Sequence, residues 1–230
     1  QVNGSFSIGY TIKDGDGDTD TATVTVDVAK KPFTPGIGFV PGAADLTVDE
    51  AHLEHGTQET AAKTSEATNS VTLTSDERLE FIEVGGIKVD MTYDFNGELD
   101  LPVGTLPTTL TLGNGTLEVT SIPKLGDTYT INYKYTLTGN ENHPDGTTDD
   151  IEHNLTINAK DLSGDTASGD FVITVVDDEP EALNDTLTVG AAQDTSTVNV
   201  LANDKFGADE RAATDGLEIE NVTTVTLFLI

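Results

Sequence analysis

Lys13-Asp14-Gly15-Asp16-Gly17-Asp18-Thr19 returns later in the chain as Lys160-Asp161-Leu162-Ser163-Gly164-Asp165-Thr166, each time between two runs of alternating apolar and polar residues. The offset is constant, since 161 − 14 and 165 − 18 both give 147. Solenoid repeats have periods of roughly 20–50 residues, whereas a unit of about 150 can enclose a core of its own. The stretch therefore reads as the turn of a repeated β hairpin in a tandem array of β domains. The 230 residues are expected to be a cut from something longer.

Working outward, residues 5–13 and 20–28 form one predicted hairpin, and residues 150–159 and 168–176 form the same hairpin one repeat later. A lone hairpin is marginal in water, so residues 1–30 are expected to be the C-terminal hairpin of a preceding repeat. Residues 31–43, KPFTPGIGFVPGA, carry three prolines and three glycines and read as a linker. A complete β-sandwich repeat is expected over 44–180. Its strands are predicted at 45–48, 70–74, 79–84, 87–93, 110–112, 116–120, 128–137, 151–158 and 168–176, with hairpin turns at Gly85-Gly86 and Gly113-Asn114-Gly115. Residues 57–69 read either as a short helix or as a polar loop. Beyond the acidic junction Asp177-Asp178-Glu179-Pro180, residues 181–230 are expected to open a further unit, with strands at 186–189, 195–200 and 222–230. The fold class that follows is all-β: tandem immunoglobulin-like antiparallel β-sandwich repeats.

Composition narrows the function classes. With 41 acidic and 11 basic side chains the formal net charge is −30, which argues against nucleic acid and anionic membrane surfaces as partners. Disorder is the other meaning of such a balance, but the 36% hydrophobic content falls in clean alternation. Two unit charges about 5 Å apart repel by about 3 kcal/mol at an effective dielectric near 20, so clustered carboxylates call for cations. With no cysteine there is neither a disulfide framework nor a thiolate metal site. No run approaches the roughly 20 apolar residues of a membrane span.

The order of short motifs resembles the extender repeats of giant RTX adhesins exported by type I secretion, related to VCBS and bacterial cadherin-like repeats. The residues that carry it are Leu46-Thr47-Val48-Asp49-Glu50-Ala51, Tyr133-Lys134-Tyr135-Thr136-Leu137-Thr138, Lys160-Asp161 through Asp165-Thr166, and Val175-Val176-Asp177-Asp178-Glu179-Pro180. Ala182-Leu183-Asn184-Asp185 and Val200-Leu201-Ala202-Asn203-Asp204 look like the opening of the next cadherin-like unit. The match is weakest over 52–69 and 94–127. The resemblance implies an extracellular fibre on a bacterial surface that serves cell adhesion or biofilm formation, with calcium near domain junctions. Its partners would be neighbouring repeats and calcium ions, with the adhesin's ligand held by a different module. The glycine-rich nonapeptide repeats and export signal of such proteins do not occur in these residues.

Calcium takes six to eight oxygen ligands, which clustered carboxylates and backbone carbonyls supply. Asp14, Asp16, Asp18 and Asp20 place a carboxylate at every second position. Thr19 stands where an EF-hand needs its glycine and Thr25 where it needs its last acid, so the turn is not an EF-hand. It reads either as a calcium loop or as a solvated Asp-Gly turn, and its copy, Asp161 and Asp165, carries less charge. At the junction, Asp177, Asp178 and Glu179 are the better candidates, stiffened by Pro180 and within reach of Asp185, Asp49 and Glu50; a metal-free polar hinge is the alternative. Glu141, Asp145, Asp149 and Asp150 form a further acidic loop, and Asp204, Asp209 and Glu210 another.

No catalytic set stands out. His52 and His55 have the spacing of a zinc pair, yet Gly56 and the want of a third ligand favour a surface loop. His143 and His153 flank the acidic loop without a serine or cysteine elbow. The expectation is a non-enzymatic protein with Ca2+ as its only cofactor. A carbohydrate- or peptide-binding module is the alternative, with Tyr93 and Phe95 as the aromatics to test.

Overall fold

The computed structural model describes residues 4–28, 36–38, 45–75, 77–143, 150–188, 197–210 and 217. Thr128–Leu137 shows why these sequences become strands. Its odd-numbered side chains, Tyr129, Ile131, Tyr133, Tyr135 and Leu137, are buried, while the alternating Thr, Asn and Lys side chains reach the opposite face. This strand is β11 of the thirteen among the described residues.

In chain order the others are β1 (Gly4–Lys13), β2 (Thr19–Val28), β3 (Gly36–Gly38), β4 (Leu46–Asp49), β5 (Ser65–Thr74), β6 (Leu79–Val84) and β7 (Ile87–Asp90). They continue with β8 (Thr108–Leu112), β9 (Gly115–Ser121), β10 (Lys124–Leu125), β12 (Ile151–Asp161) and β13 (Thr166–Val176). A 3-10 turn, Glu50–His52, follows β4.

Two sheets make the sandwich. One runs β3-β5-β11-β9-β8, with β10 paired to β11, and the other runs β4-β13-β12-β6-β7. Sequential strands β5 and β6 therefore lie in opposite sheets, as do β11 and β12, which is the Greek-key order of an immunoglobulin-like sandwich. The first strand is split between the sheets. β3 pairs antiparallel with β5, and after residues 39–44 β4 pairs with β13 in parallel, Leu46 beside Ile173 through Asp49 beside Val176. That parallel pair departs from the purely antiparallel expectation.

The inward residues of both sheets meet in one core. Phe171 stacks at 5.2 Å on Tyr133, and Leu73, Leu79, Ile82, Leu117, Ile157 and Ile173 close around them without solvent exposure. Each such side chain contributes roughly 2 kcal/mol of apolar burial. Gly85 and Gly86, with φ of +55° and +95°, turn β6 into β7 in a two-residue loop that only glycine adopts cheaply.

At the far end of the core the Tyr93 hydroxyl accepts from Leu79 N (2.8 Å), donates to Leu79 O (3.1 Å) and lies 2.9 Å from the Tyr129 hydroxyl. Tyr93→Phe leaves those groups without their partner and should cost about 1–3 kcal/mol. A urea midpoint lowered with an unchanged slope checks this.

Several elements differ from the sequence expectation. The Pro/Gly-rich stretch 31–43 contains β3, because an edge position on β5 needs backbone groups rather than side chains. Ser65–Asn69 is strand, not helix or loop: its polar residues are held by ten consecutive pairings of β5 with β11, beginning at Ser65 beside Leu137. Residues 186–188 and 197–200 form no strand. Residues 189 and 195–196, like 222–230, lie outside the described residues.

The hairpin β1–β2 repeats β12–β13 in three dimensions. Lys13 pairs with Thr19 as Lys160 pairs with Thr166. Asp14 N donates to Asp18 O and Asp161 N to Asp165 O, both at 3.0 Å. Gly17 and Gly164 take φ of +112° and +97°. The 147-residue offset thus holds for backbone and hydrogen bonds alike.

Candidate metal centre at one end of the sandwich

β4 and β13 run in parallel, so Glu50 and Asp177, each the next residue along, emerge at the same end of the sandwich. β11 ends there too, opposite the start of β5, and delivers Glu141 and His143. Asp49 caps the 3-10 turn by accepting from Ala51 N at 2.8 Å, and Ser65 Oγ accepts from Asp49 N at 2.9 Å. This turns the Glu50 side chain into the protein, where it is fully buried.

Glu50 Oε1 accepts from Glu141 N and stands 3.2 Å from His143 Nε2. Glu50 Oε2 is buried with no hydrogen-bond partner. Burial pushes the Glu50 carboxyl above its ordinary range, opposed by the Glu141 N–H and by His143, with the charge of Asp209 pushing it further up. Ligand atoms of Glu50, His143 and Asp177 all lie within 4.8 Å of one another. An orphaned carboxylate oxygen beside a second carboxylate is an unmet demand for positive charge.

The donor set bears on which ion would answer it. Glu50 and Asp177 offer hard oxygens suited to calcium, whereas an imidazole suits zinc or another transition metal better. Calcium would thus rest on the two carboxylates and nearby carbonyls.

The other junction residues serve elsewhere. Asp178, 6% exposed, accepts from Thr57 N (2.8 Å), Thr57 Oγ1 and Ala208 N (3.0 Å). Around it, Glu181 and Lys205 exchange backbone hydrogen bonds (2.8 and 2.9 Å), Lys205 Nζ donates to Thr57 O, and Leu183 N donates to Asp204 Oδ1 at 2.7 Å. Asn140 Nδ2 donates to Asp209 Oδ1 (2.6 Å), and His55 lies 3.2 Å from Glu210. The segment 203–210 is thereby latched onto the sandwich end. Glu179 and Asp185 are exposed and stand outside the three-residue cluster.

Asp14, Asp16 and Asp18 do converge, all three exposed. Asp14 Oδ1 accepts from Gly17 N (3.0 Å) and Asp18 N (2.8 Å). Its carboxyl is held below the usual range, chiefly by the Asp16 side chain, against desolvation and with help from these backbone donors. Asp20 Oδ1 accepts from Thr21 N instead. In the copy, Oδ1 of the buried Asp161 accepts from Ser163 N, Ser163 Oγ and Asp165 N, and Ser163 Oγ also reaches Asp165. In both turns the first Asp accepts backbone hydrogen bonds from the loop that follows it, and Asp161 Oδ2 is buried without a partner.

His52 ends the 3-10 turn, and its carbonyl accepts from Thr60. His153 lies 3.3 Å from Glu141 and near Tyr135. Asp150 is exposed, and Asp145 and Asp149 lie outside the described residues. Tyr93 is half-buried while Phe95 stands 96% exposed. What sequence reasoning missed was the place of His143 beside Glu50; the signal was that the strands before both residues end on one side of the sandwich.

The fold places the chain among all-β, immunoglobulin-like sandwiches. No family model matches it, and no curated protein does. A solved structure of mouse clustered PcdhgC3 EC1-3 is similar over 76% of this chain, at 12% identity and a TM-score of 0.31. The match covers 43% of that structure, so the chain spans less than half its length. Among the described residues no helix is long and apolar enough to cross a membrane.

Proposed function

We propose that the chain is a non-enzymatic, calcium-stabilised structural repeat of a large extracellular adhesin on a bacterial surface. In this reading residues 1–30 close a preceding unit, 44–180 form the complete one and 181–230 open the next. The unit spaces a ligand-binding module away from the cell, in the manner of the RTX and VCBS-type extenders exported by type I secretion and active in adhesion or biofilm formation. Its partners are the neighbouring repeats and calcium ions.

One observation carries the reading: Glu50, whose carboxylate clusters with Asp177 where the chain leaves the sandwich, keeps Oε2 buried without a hydrogen-bond partner. Bound there, calcium would supply the positive charge that this cluster lacks. Its binding energy would then appear as stability of the unit and as stiffness of the junction. Sites of extracellular modules work at about 0.1–1 mM calcium, and the far lower cytosolic level would leave the chain loose for export. The alternative of a ligand-binding module loses one of its two aromatics, because the Tyr93 hydroxyl is engaged by Leu79 and Tyr129.

Thermal melts in EDTA and in millimolar calcium, magnesium or zinc, with small-angle scattering alongside, test this. Calcium at about ten times its dissociation constant adds roughly 1.4 kcal/mol, a rise of about 3–6 °C. Glu50→Gln should leave the protein in EDTA at least as stable as the parent, since it removes a buried charge, yet abolish the calcium increment. A parent without a calcium-specific rise, or a Glu50→Gln variant that keeps it, would sink the proposal. A response to zinc alone would move the site to imidazole chemistry.

A further inference from the structure

The hairpin β1–β2 has two unlike faces. Ser5, Ser7, Thr11, Thr21, Thr23 and Thr25 line one of them. On the other, Phe6 pairs with Val26, Ile8 with Val24, Tyr10 with Ala22 and Ile12 with Asp20. Phe6, Ile8, Tyr10, Ile12 and Val24 on that apolar face are 48–62% exposed. Contiguous exposed apolar surface of this kind marks an interaction site.

The molecule also shows what covers such a face. At the 147-residue offset Ile8, Tyr10, Ile12, Val24 and Val26 correspond to Leu155, Ile157, Ala159, Phe171 and Ile173. Four of those five are at most 1% exposed and Leu155 packs against the same core; Phe171 lies on Tyr133 of β11. The turns agree as well: Asp161 is sealed where Leu162 N donates to Arg78 O, while its counterpart Asp14 stands open.

We propose that the apolar face of β1–β2 docks onto an antiparallel sheet of the β5–β11–β9 kind, belonging to an immunoglobulin-like body that lacks its own last two strands. The chain's own β5–β11–β9 face is already covered by β12–β13. A lipid surface is the wrong chemistry, because Asp14, Asp16, Asp18, Asp20 and Asp27 ring the hairpin and anionic headgroups would repel them. The proposal rests on the reading above in which residues 1–30 close a preceding unit, and not on the cation site, so a negative calcium result leaves it standing.

The test is a full-chain chimera in which residues 5–28 replace residues 152–175. If the face fits such a sheet, the body melts in one cooperative transition within about 20 °C of the parent. A second chimera restores Ile157 and Gly169 in place of the transplanted Tyr10 and Ala22, so that local overpacking cannot mask a fitting face. Failure of both chimeras to show a cooperative melt and near-ultraviolet circular dichroism overturns the proposal. Sedimentation of the unmodified chain gives the rival occupant its chance. A monomer unaffected by Ile8→Lys agrees with the proposal, while a dimer that Ile8→Lys dissolves puts a second copy on the face and overturns it.

Discussion

Phe171→Ala should destabilise the sandwich by about 3–5 kcal/mol, the range for removing a buried aromatic side chain. Phe171 is 1% exposed in the middle of β13, and its ring meets Tyr133 of β11 across the two sheets at 5.2 Å. Truncation removes that contact and leaves a void walled by paired strands, which cannot collapse without breaking ladder hydrogen bonds. For a body of this size the melting temperature should fall by roughly 10–20 °C. Phe171→Leu, which keeps most of the volume, should recover more than half of the loss. A melting shift below about 3 °C for the alanine variant would show that β13 does not close the core.

Asp178→Ala is expected to cost about 3–5 kcal/mol, because it removes the single carboxylate that satisfies Thr57 N, Thr57 Oγ1 and Ala208 N in a buried setting. The loss should be local as well as global. Residues 203–210 would lose their anchor, and protease cleavage within 179–210 should accelerate while the core strands stay protected. Asp178→Asn keeps one acceptor oxygen and should fall between parent and alanine variant. Gly207→Ala reaches the same latch from the other side, since Gly207 has φ of +83° and a Cβ there would run into the Asp178 carbonyl. Unchanged cleavage in both Asp178→Ala and Gly207→Ala would show that the latch does not hold this segment. Asp178 and Asp177 thereby separate: the first holds Thr57 and Ala208, and the second lies in the cluster with Glu50.

Much of the fold is written locally. The odd-position alternation of Thr128–Leu137, the apolar stripe of β13 and the Gly85-Gly86 turn each follow from neighbours within a few residues, through side-chain period and backbone sterics. The 147-residue repetition of the Asp-Gly hairpin was equally legible, and its backbone repeats because the same Asp, Gly and Thr occupy the same turn positions. Where strand identity depends on a partner, local signals fall short. β3 has no apolar alternation and exists because β5 offers it an edge; Ser65–Asn69 is polar and extended because β11 pairs with it.

For the candidate site, an excess of carboxylates and their concentration at residues 49–50 and 177–179 can be read from the order of residues. Their roles follow from the folded arrangement, and the reason is long-range register. Glu50 meets the backbone of Glu141 across 91 residues, and Asp178 meets Thr57 across 121, because strands far apart in sequence end at one level of the sandwich. Which oxygen finds a donor there and which is left buried without one depends on that alignment to within a hydrogen-bond length, information that residue spacing does not contain.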